Sequence, residues 1–274
     1  MGTAQKRQGA KPVQILLIAV SILFLVMLLI VPLVLVLSEA FRDGIAVFKS
    51  AVLDTYTIKA AQLTILATVS AVVINTLFGL FAAWTITKFS FSGKKVLITL
   101  VDIPFSVSPV IAGLVFILTF GRIGWTYDFL QAHDIRIVFA TPGIILATVF
   151  VTFPFISREI IPVLNAQGNA EEEAAALMGA GGLKIFARVT FPHIKWALLY
   201  GVILCSARAM GEFGAVSVLS GHLRGKTNTL PLHIEILYNE YKYTQAFAVA
   251  SLLVVMAVII LIIRNIIEYK NKKE

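Results

Sequence analysis

The chain has 274 residues, 58% of them hydrophobic and 14% charged, with a mean hydropathy of +0.90 and a net charge of +8. Too few polar side chains remain to cover a soluble domain, so a water-soluble globular protein is excluded. The basic excess falls in short segments between apolar runs, where lysine and arginine set membrane orientation, so nucleic acid is excluded as its explanation.

Taken in order, Lys6, Arg7 and Lys11 lead into a charge-free run at 13–38. It is longer than the apolar core of a signal peptide and lacks a small-x-small cleavage site, so it is expected to remain as the first membrane helix behind a cytoplasmic tail at 1–12, peripheral to a five-helix core. Pro32 is its candidate kink. Residues 39–59 mix three acids with three bases and read as an external segment. The second span, 60–87, carries Gln62, Thr64, Thr68, Ser70, Asn75 and Thr76, more polarity than a lipid-facing helix holds, and should pack inside the bundle. Lys88, Lys94 and Lys95 mark an inner loop. Span three, 96–120, contains Asp102, Pro104, Ser106, Ser108 and Pro109, so its first half is expected to be kinked or broken, an arrangement that often lines a cavity. Asp102 is expected to pair with Lys94 or Lys95. An external loop at 121–136 precedes span four at 137–157, and Arg158 marks the return inside.

Residues 169–192 are the one long polar stretch in this oily chain. Asn169 and Glu172 have capping-box spacing, Glu171 to Glu173 sit at the positive end of a helix, and Gly179, Gly181 and Gly182 permit a sharp turn. Leu183, Ile185, Phe186 and Val189 then line one face of a second short helix that Pro192 closes.

Span five, 195–220, is anchored by Lys195 and Trp196 and carries Arg208 and Glu212, four residues apart on one helix face. A charge near mid-bilayer costs about 2.5 kcal/mol or more unless it is paired or wetted. The two are therefore either an ion pair that holds the bundle together or translocation-path residues, Arg208 attracting an anion while Glu212 limits how tightly it is held. Ala207, Gly211 and Ala215 form an adjacent small-residue stripe. An external loop at 222–242 leads to span six at 244–263 and a basic tail at 268–274. Of the 23 Lys and Arg residues, 14 fall on the proposed inside and 8 outside, with Arg208 in the membrane. The expected fold is an all-α polytopic membrane protein with six transmembrane helices and both termini cytoplasmic.

The single cysteine, Cys205, lies in an apolar span, and His133, His193, His222 and His233 lack metal-ligand spacing, so no metal site is expected. No G-x-x-x-x-G-K-S/T loop is present to cradle a nucleotide phosphate, so the chain is not expected to be an enzyme or to bind a cofactor.

The spacing Glu-Ala-Ala, three residues, Gly179, nine residues, then Val189-x-Phe191-Pro192 resembles the EAA loop of ABC-importer permeases, whose pattern ends Ile-x-Leu-Pro. The segments Ala207–Ala215 and Ser220–Leu232 resemble the sulfate, thiosulfate and molybdate branch of that family. His233–Tyr241 resembles the CysW type most. The resemblance implies a type I ABC importer permease domain over 60–267. It implies a cytoplasmic loop that docks on the ATPase through Glu173, Ala174, Ala175, Gly179, Val189, Phe191 and Pro192, with the glutamate pairing to a basic residue and the alanines allowing close approach. It also implies the partners: two ABC ATPase subunits that use ATP and Mg, a homologous CysT-like second permease, and a periplasmic sulfate-binding protein, in the bacterial inner membrane. Arg224 and Lys226 are the candidate binding-protein contacts. A molybdate or tungstate importer is the alternative of the same architecture, and a stand-alone ion-coupled anion transporter or channel is the alternative of another class.

Overall fold

The computed structural model describes residues 11–271, and among them there are helices, turns and loops but no strand. Of the two expected tails, residues 1–10 and 272–274 lie outside the described residues.

The first span comprises α1 (Lys11–Leu25), a π-helical turn at Val26–Ile30, and α2 (Val31–Ala40). Pro32 has no N–H and its ring crowds the carbonyl four residues back, so the turn before it widens. The 18-residue apolar window in this span has no buried residue, and α2 packs on the last helix, so the span is peripheral. The expected external segment holds a helix of its own, α3 (Ile45–Val52), before α4 (Thr55–Lys88) begins one turn earlier than expected. Asp54 sets that start by accepting hydrogen bonds from the Tyr56 and Thr57 amides at 2.8 and 3.3 Å.

Helix α4 is the axis of the bundle. Its buried residues include Thr57, Thr64, Thr68 and Asn75, which explains the polarity visible in the sequence. Asn75 donates to Thr152 Oγ1 at 2.8 Å and to the Val149 carbonyl at 3.2 Å, and approaches the buried Cys205 Sγ at 3.8 Å. These bonds join α4 to α8 (Thr141–Thr152) and to α12 (Phe191–Met210). Thr64 Oγ1 accepts from the Leu230 amide at 2.8 Å, tying α4 to α14 (Leu230–Asn239). Apolar packing fills the rest: Leu63, Ile144, Val216 and Leu219 in one cluster, Ile156, Ile160, Leu164 and Ile194 in a second.

Two spans are broken. Span three consists of α5 (Lys94–Ser106) and α6 (Pro109–Phe120), bent by 110° at Val107 and Ser108. Span five is not one helix: α12 stops at Met210, and α13 (Gly214–Leu219) begins after a three-residue break. The breaks face each other, since a Cβ on Gly214 would lie 2.9 Å from Pro109 Cβ and one on Gly113 would lie 2.7 Å from the Ala215 carbonyl. Only glycine lets α13 lie this close to α6. The small-residue stripe therefore does not exist as expected, because Ala215 belongs to the other half of the break.

Of the remaining boundaries, span four starts four residues later than expected, at Thr141, and the other differences lengthen the helices. The 121–136 loop holds the short helix α7 (Tyr127–Ala132), span four continues through α9 (Pro154–Gln167) well past Arg158, and the last helix, α15 (Tyr243–Asn271), extends beyond 263. Among the described residues, five helices are long and apolar enough to cross a membrane, six if the bent pair forms one span.

Candidate coupling loop and translocation site

The polar stretch folds as two short helices, α10 (Ala170–Leu177) and α11 (Gly182–Ile185), around a glycine turn. The Ala180 amide bonds the Ala175 carbonyl at 3.1 Å and the Gly179 amide bonds the Ala176 carbonyl at 2.9 Å, with Gly179 at φ +81°. This is a Schellman stop, and it gives Gly179 a definite task. A Cβ added at Gly179 would meet nothing within 4 Å, so Gly179→Ala should cost only the left-handed backbone penalty, about 1–2 kcal/mol of loop stability. Limited proteolysis of the loop in membranes should show faster cleavage and unchanged insertion.

The capping box does not form, since Asn169 makes no side-chain cap bond. Glu172 turns inward instead. Its Oε1 accepts from Thr190 Oγ1 at 2.6 Å and lies 3.1 Å from Lys88 Nζ, which also donates to the Gly168 carbonyl at 2.6 Å. With side chains 6% and 16% exposed, Lys88 and Glu172 clamp the loop to the end of α4. Trp84 of α4 adds a ring contact to Phe186 at 5.6 Å, and Glu171 reaches His193 Nε2 at 2.9 Å.

Because Glu172 faces the protein, Glu173 and Ala174 face solvent, whereas Ala175 is 8% exposed and packs inward. Ala175 is thus not available for close approach to another subunit. Leu183 does not line an inner face either. It is 89% exposed, beside Leu177 at 90% and Met178 at 82%, so three large apolar side chains crown the turn. Pro192 does not close the second helix. A π-helical turn at Phe186–Thr190, containing Val189, absorbs the proline, and α12 continues from Phe191, which is 41% exposed. The loop is therefore mechanically continuous with span five.

Arg208 and Glu212 meet across the end of α12, with Nη1 2.7 Å from Oε2 and side chains 34% and 1% exposed. Glu212 Oε1 also accepts from the Ala215 amide at 2.9 Å, in the first turn of α13. Arg208 sits at the negative end of one helix and Glu212 at the positive end of the next, so the pair bridges the break. Asp102 does not pair with Lys94 or Lys95. Arg158 of α9 donates to its Oδ1 from Nε at 2.9 Å, with Nη2 also at 2.9 Å, and the guanidinium lies 4.2 Å from the Phe105 ring centre.

The 222–242 segment is only partly a solvated loop. Arg224 is paired with Glu240, and Lys226 is exposed. Thr227, Asn228, Thr229 and Leu230 are buried, and α14 packs against α4 and α15. His233, within the segment expected as an external loop, is 2% exposed, with Nε2 3.2 Å from Thr57 Oγ1. Thr57 Oγ1 donates to the Ala51 carbonyl at 2.8 Å, so it accepts from His233 Nε2–H. Burial, reinforced by the Arg224 charge, holds the imidazole pKa below the usual 6.5, and the ring is neutral at pH 7. The unfolded histidine then protonates before the folded one, so the stabilisation present above pH 6.5 is lost as pH falls through the lower folded value. Thermal unfolding in detergent should show a Tm that begins to drop as pH falls through the ordinary histidine value of 6.5, and His233→Gln should remove most of that dependence.

Residues 75–273 match the family described as binding-protein-dependent transport system inner membrane component. The chain belongs to this family. It is 44% identical over 275 residues to the sulfate transport system permease protein CysW of Escherichia coli (strain K12), covering 99% of this chain and 94% of the relative. It is 45% identical over 259 residues to the CysW protein of Synechocystis, covering 94% of each. To the CysT sulfate permease protein of Salmonella typhimurium it is 33% identical over 248 residues, covering 90% of each. In fold it is similar to a chain of a bacterial ABC transporter involved in alginate import, with a TM-score of 0.79, 17% identity and 95% of each chain covered.

Sequence reasoning missed the Lys88–Glu172–Thr190 clamp and the Asp102–Arg158 pair. The only signal for the first was a lysine closing a span directly before a basic loop. For the second there was a lone carboxylate without an oppositely charged residue three or four positions away.

Proposed function

We propose that this chain is the CysW-type permease subunit of an ATP-driven importer that moves sulfate or thiosulfate inward across the bacterial cytoplasmic membrane by alternating access. The observation that carries the reading is the loop at 169–192: a clamped base continuous with a broken membrane helix, and an outward face of Glu173, Leu177, Met178 and Leu183. Such a surface suits docking in a groove on an ATPase, with the acid matched to a basic residue and the apolar crown buried. Similarity to CysW proteins over nearly the whole chain supports the anion class, and the lower similarity to CysT supports a second, CysT-like permease as partner. The basic bias toward the loop's side supports cytoplasmic termini. ATP and Mg belong to two ATPase subunits, and a periplasmic sulfate-binding protein delivers the anion.

In this mechanism closure of the ATPases moves the loop. The continuous helix from Gly182 to Met210 carries that displacement to the break at Gly211–Phe213, where α13 is held against α6. Uptake of labelled sulfate by vesicles containing the four kinds of subunit, with and without ATP, tests the reading. ATP-dependent uptake blocked by thiosulfate but not by molybdate is expected, and suppression by molybdate with little sulfate uptake would assign the other oxyanion.

A further inference from the structure

Asp102 and Arg158 hold a charge pair on the open side of the bundle, with side chains 41% and 52% exposed. Asp102 is eight residues into α5 from Lys94, and Arg158 is nine residues from Gln167 at the end of α9. Both distances amount to about 12–14 Å of helix rise, which sets the pair well in from the helix ends on the coupling-loop side. Half-exposed charges on membrane-spanning helices turn to a bundle interior or a wet cavity rather than to lipid. Arg158 directs Nε and Nη2 at a single carboxylate oxygen, and Nη1 has no partner among the described residues. The guanidinium is oriented and yet open to another acceptor.

A chain of contacts links the pair to the two helix breaks. Phe105 touches Arg158 and packs on the Phe155 ring at 5.2 Å, and Pro109, on the other side of the α5–α6 break, meets Gly214, two residues from Glu212. A Cβ on Gly201 would lie 3.5 Å from Glu159 Cβ, so Gly201 marks the level of Arg158 on α12. Arg208, seven residues further along, is then about 10 Å higher.

Resting on the importer reading above, the geometry points to Asp102–Arg158 as a second charged station on the translocation path, on the inner side of Arg208–Glu212, which takes a tetrahedral dianion through the free edge of the Arg158 guanidinium. Arginine matches oxyanion geometry with paired donors. Asp102 fixes the orientation and weakens the hold, so that the anion leaves.

The test separates the station from the substrate. In the complete transporter, with Cys205→Ala as background, Phe105→Cys is exposed to membrane-impermeant methanethiosulfonates of opposite charge. The thiol should react, the anionic reagent at least about five times faster than the cationic one relative to free cysteine, and Arg158→Gln should abolish that preference. An unreactive thiol in the folded complex, or equal rates, would overturn the station whatever anion is carried. In uptake, Asp102→Asn with Arg158→Gln keeps a neutral hydrogen-bonded pair and should retain binding-protein-stimulated ATPase activity while transport falls at least about tenfold. Unchanged transport, or loss of both activities together, would assign the pair a purely structural role. Failure of the wild-type complex to move sulfate would count against the importer reading alone, since the labelling outcome does not depend on it.

Discussion

Arg208→Ala should destabilise the protein by about 3–5 kcal/mol, because it strands a carboxylate whose side chain is 1% exposed. The loss should exceed that of a double variant in which the carboxylate is neutralised as well. The choice of second substitution matters. Glu212 Oε1 caps α13 through the Ala215 amide, so Glu212→Ala would uncover a buried donor at about 1–3 kcal/mol, whereas Glu212→Gln keeps the bond. Thermal unfolding in detergent should rank Arg208→Ala as the least stable and Arg208→Met with Glu212→Gln near the wild type. That double variant then isolates transport: full uptake would make the pair a splint across the helix break, and a folded but inactive transporter would place Arg208 on the anion path.

Glu173→Lys should leave insertion and folding intact, because the side chain projects into solvent from the outer face of α10. ATP-driven uptake should nevertheless fall roughly thirty-fold or more, since reversing a docked charge costs about 2–5 kcal/mol. Glu172→Lys, one residue earlier, should behave differently. It sets two cations side by side with Lys88 at the base of the loop, so the loop itself should detach, with rapid proteolysis and loss of ATPase binding. Normal ATP-driven uptake by Glu173→Lys would sink the coupling assignment. Co-purification of the ATPase, together with protease resistance of the loop, distinguishes a broken contact from a broken loop.

Two adjacent glutamates with opposite duties show where sequence reasoning stops. Both satisfy the helix dipole, and the capping-box spacing favours Glu172 as a local cap. Which of them turns inward depends on Lys88 and Thr190, remote residues brought to one oxygen by the packing of α4 and α12. The same holds for Asp102, whose nearest lysines in sequence were the natural partners until α9 brought Arg158 within 2.9 Å.

Local chemistry was enough to reveal the membrane class, the polar axis of span two, the weakness of span three at its prolines, the glycine turn of the loop and the peripheral first helix. Each of these depends on apolar length, on helix-breaking residues, or on backbone conformations that glycine alone adopts freely. Three-dimensional packing was needed to interrupt span five at Gly211–Phe213, to absorb Pro192 in a π turn, and to make His233 an interior residue bonded to Thr57. No single segment encodes these features. A helix break is stable only where another segment, here α6 at Gly113, packs against the interrupted backbone, and a polar residue stays buried only where partners from distant helices surround it.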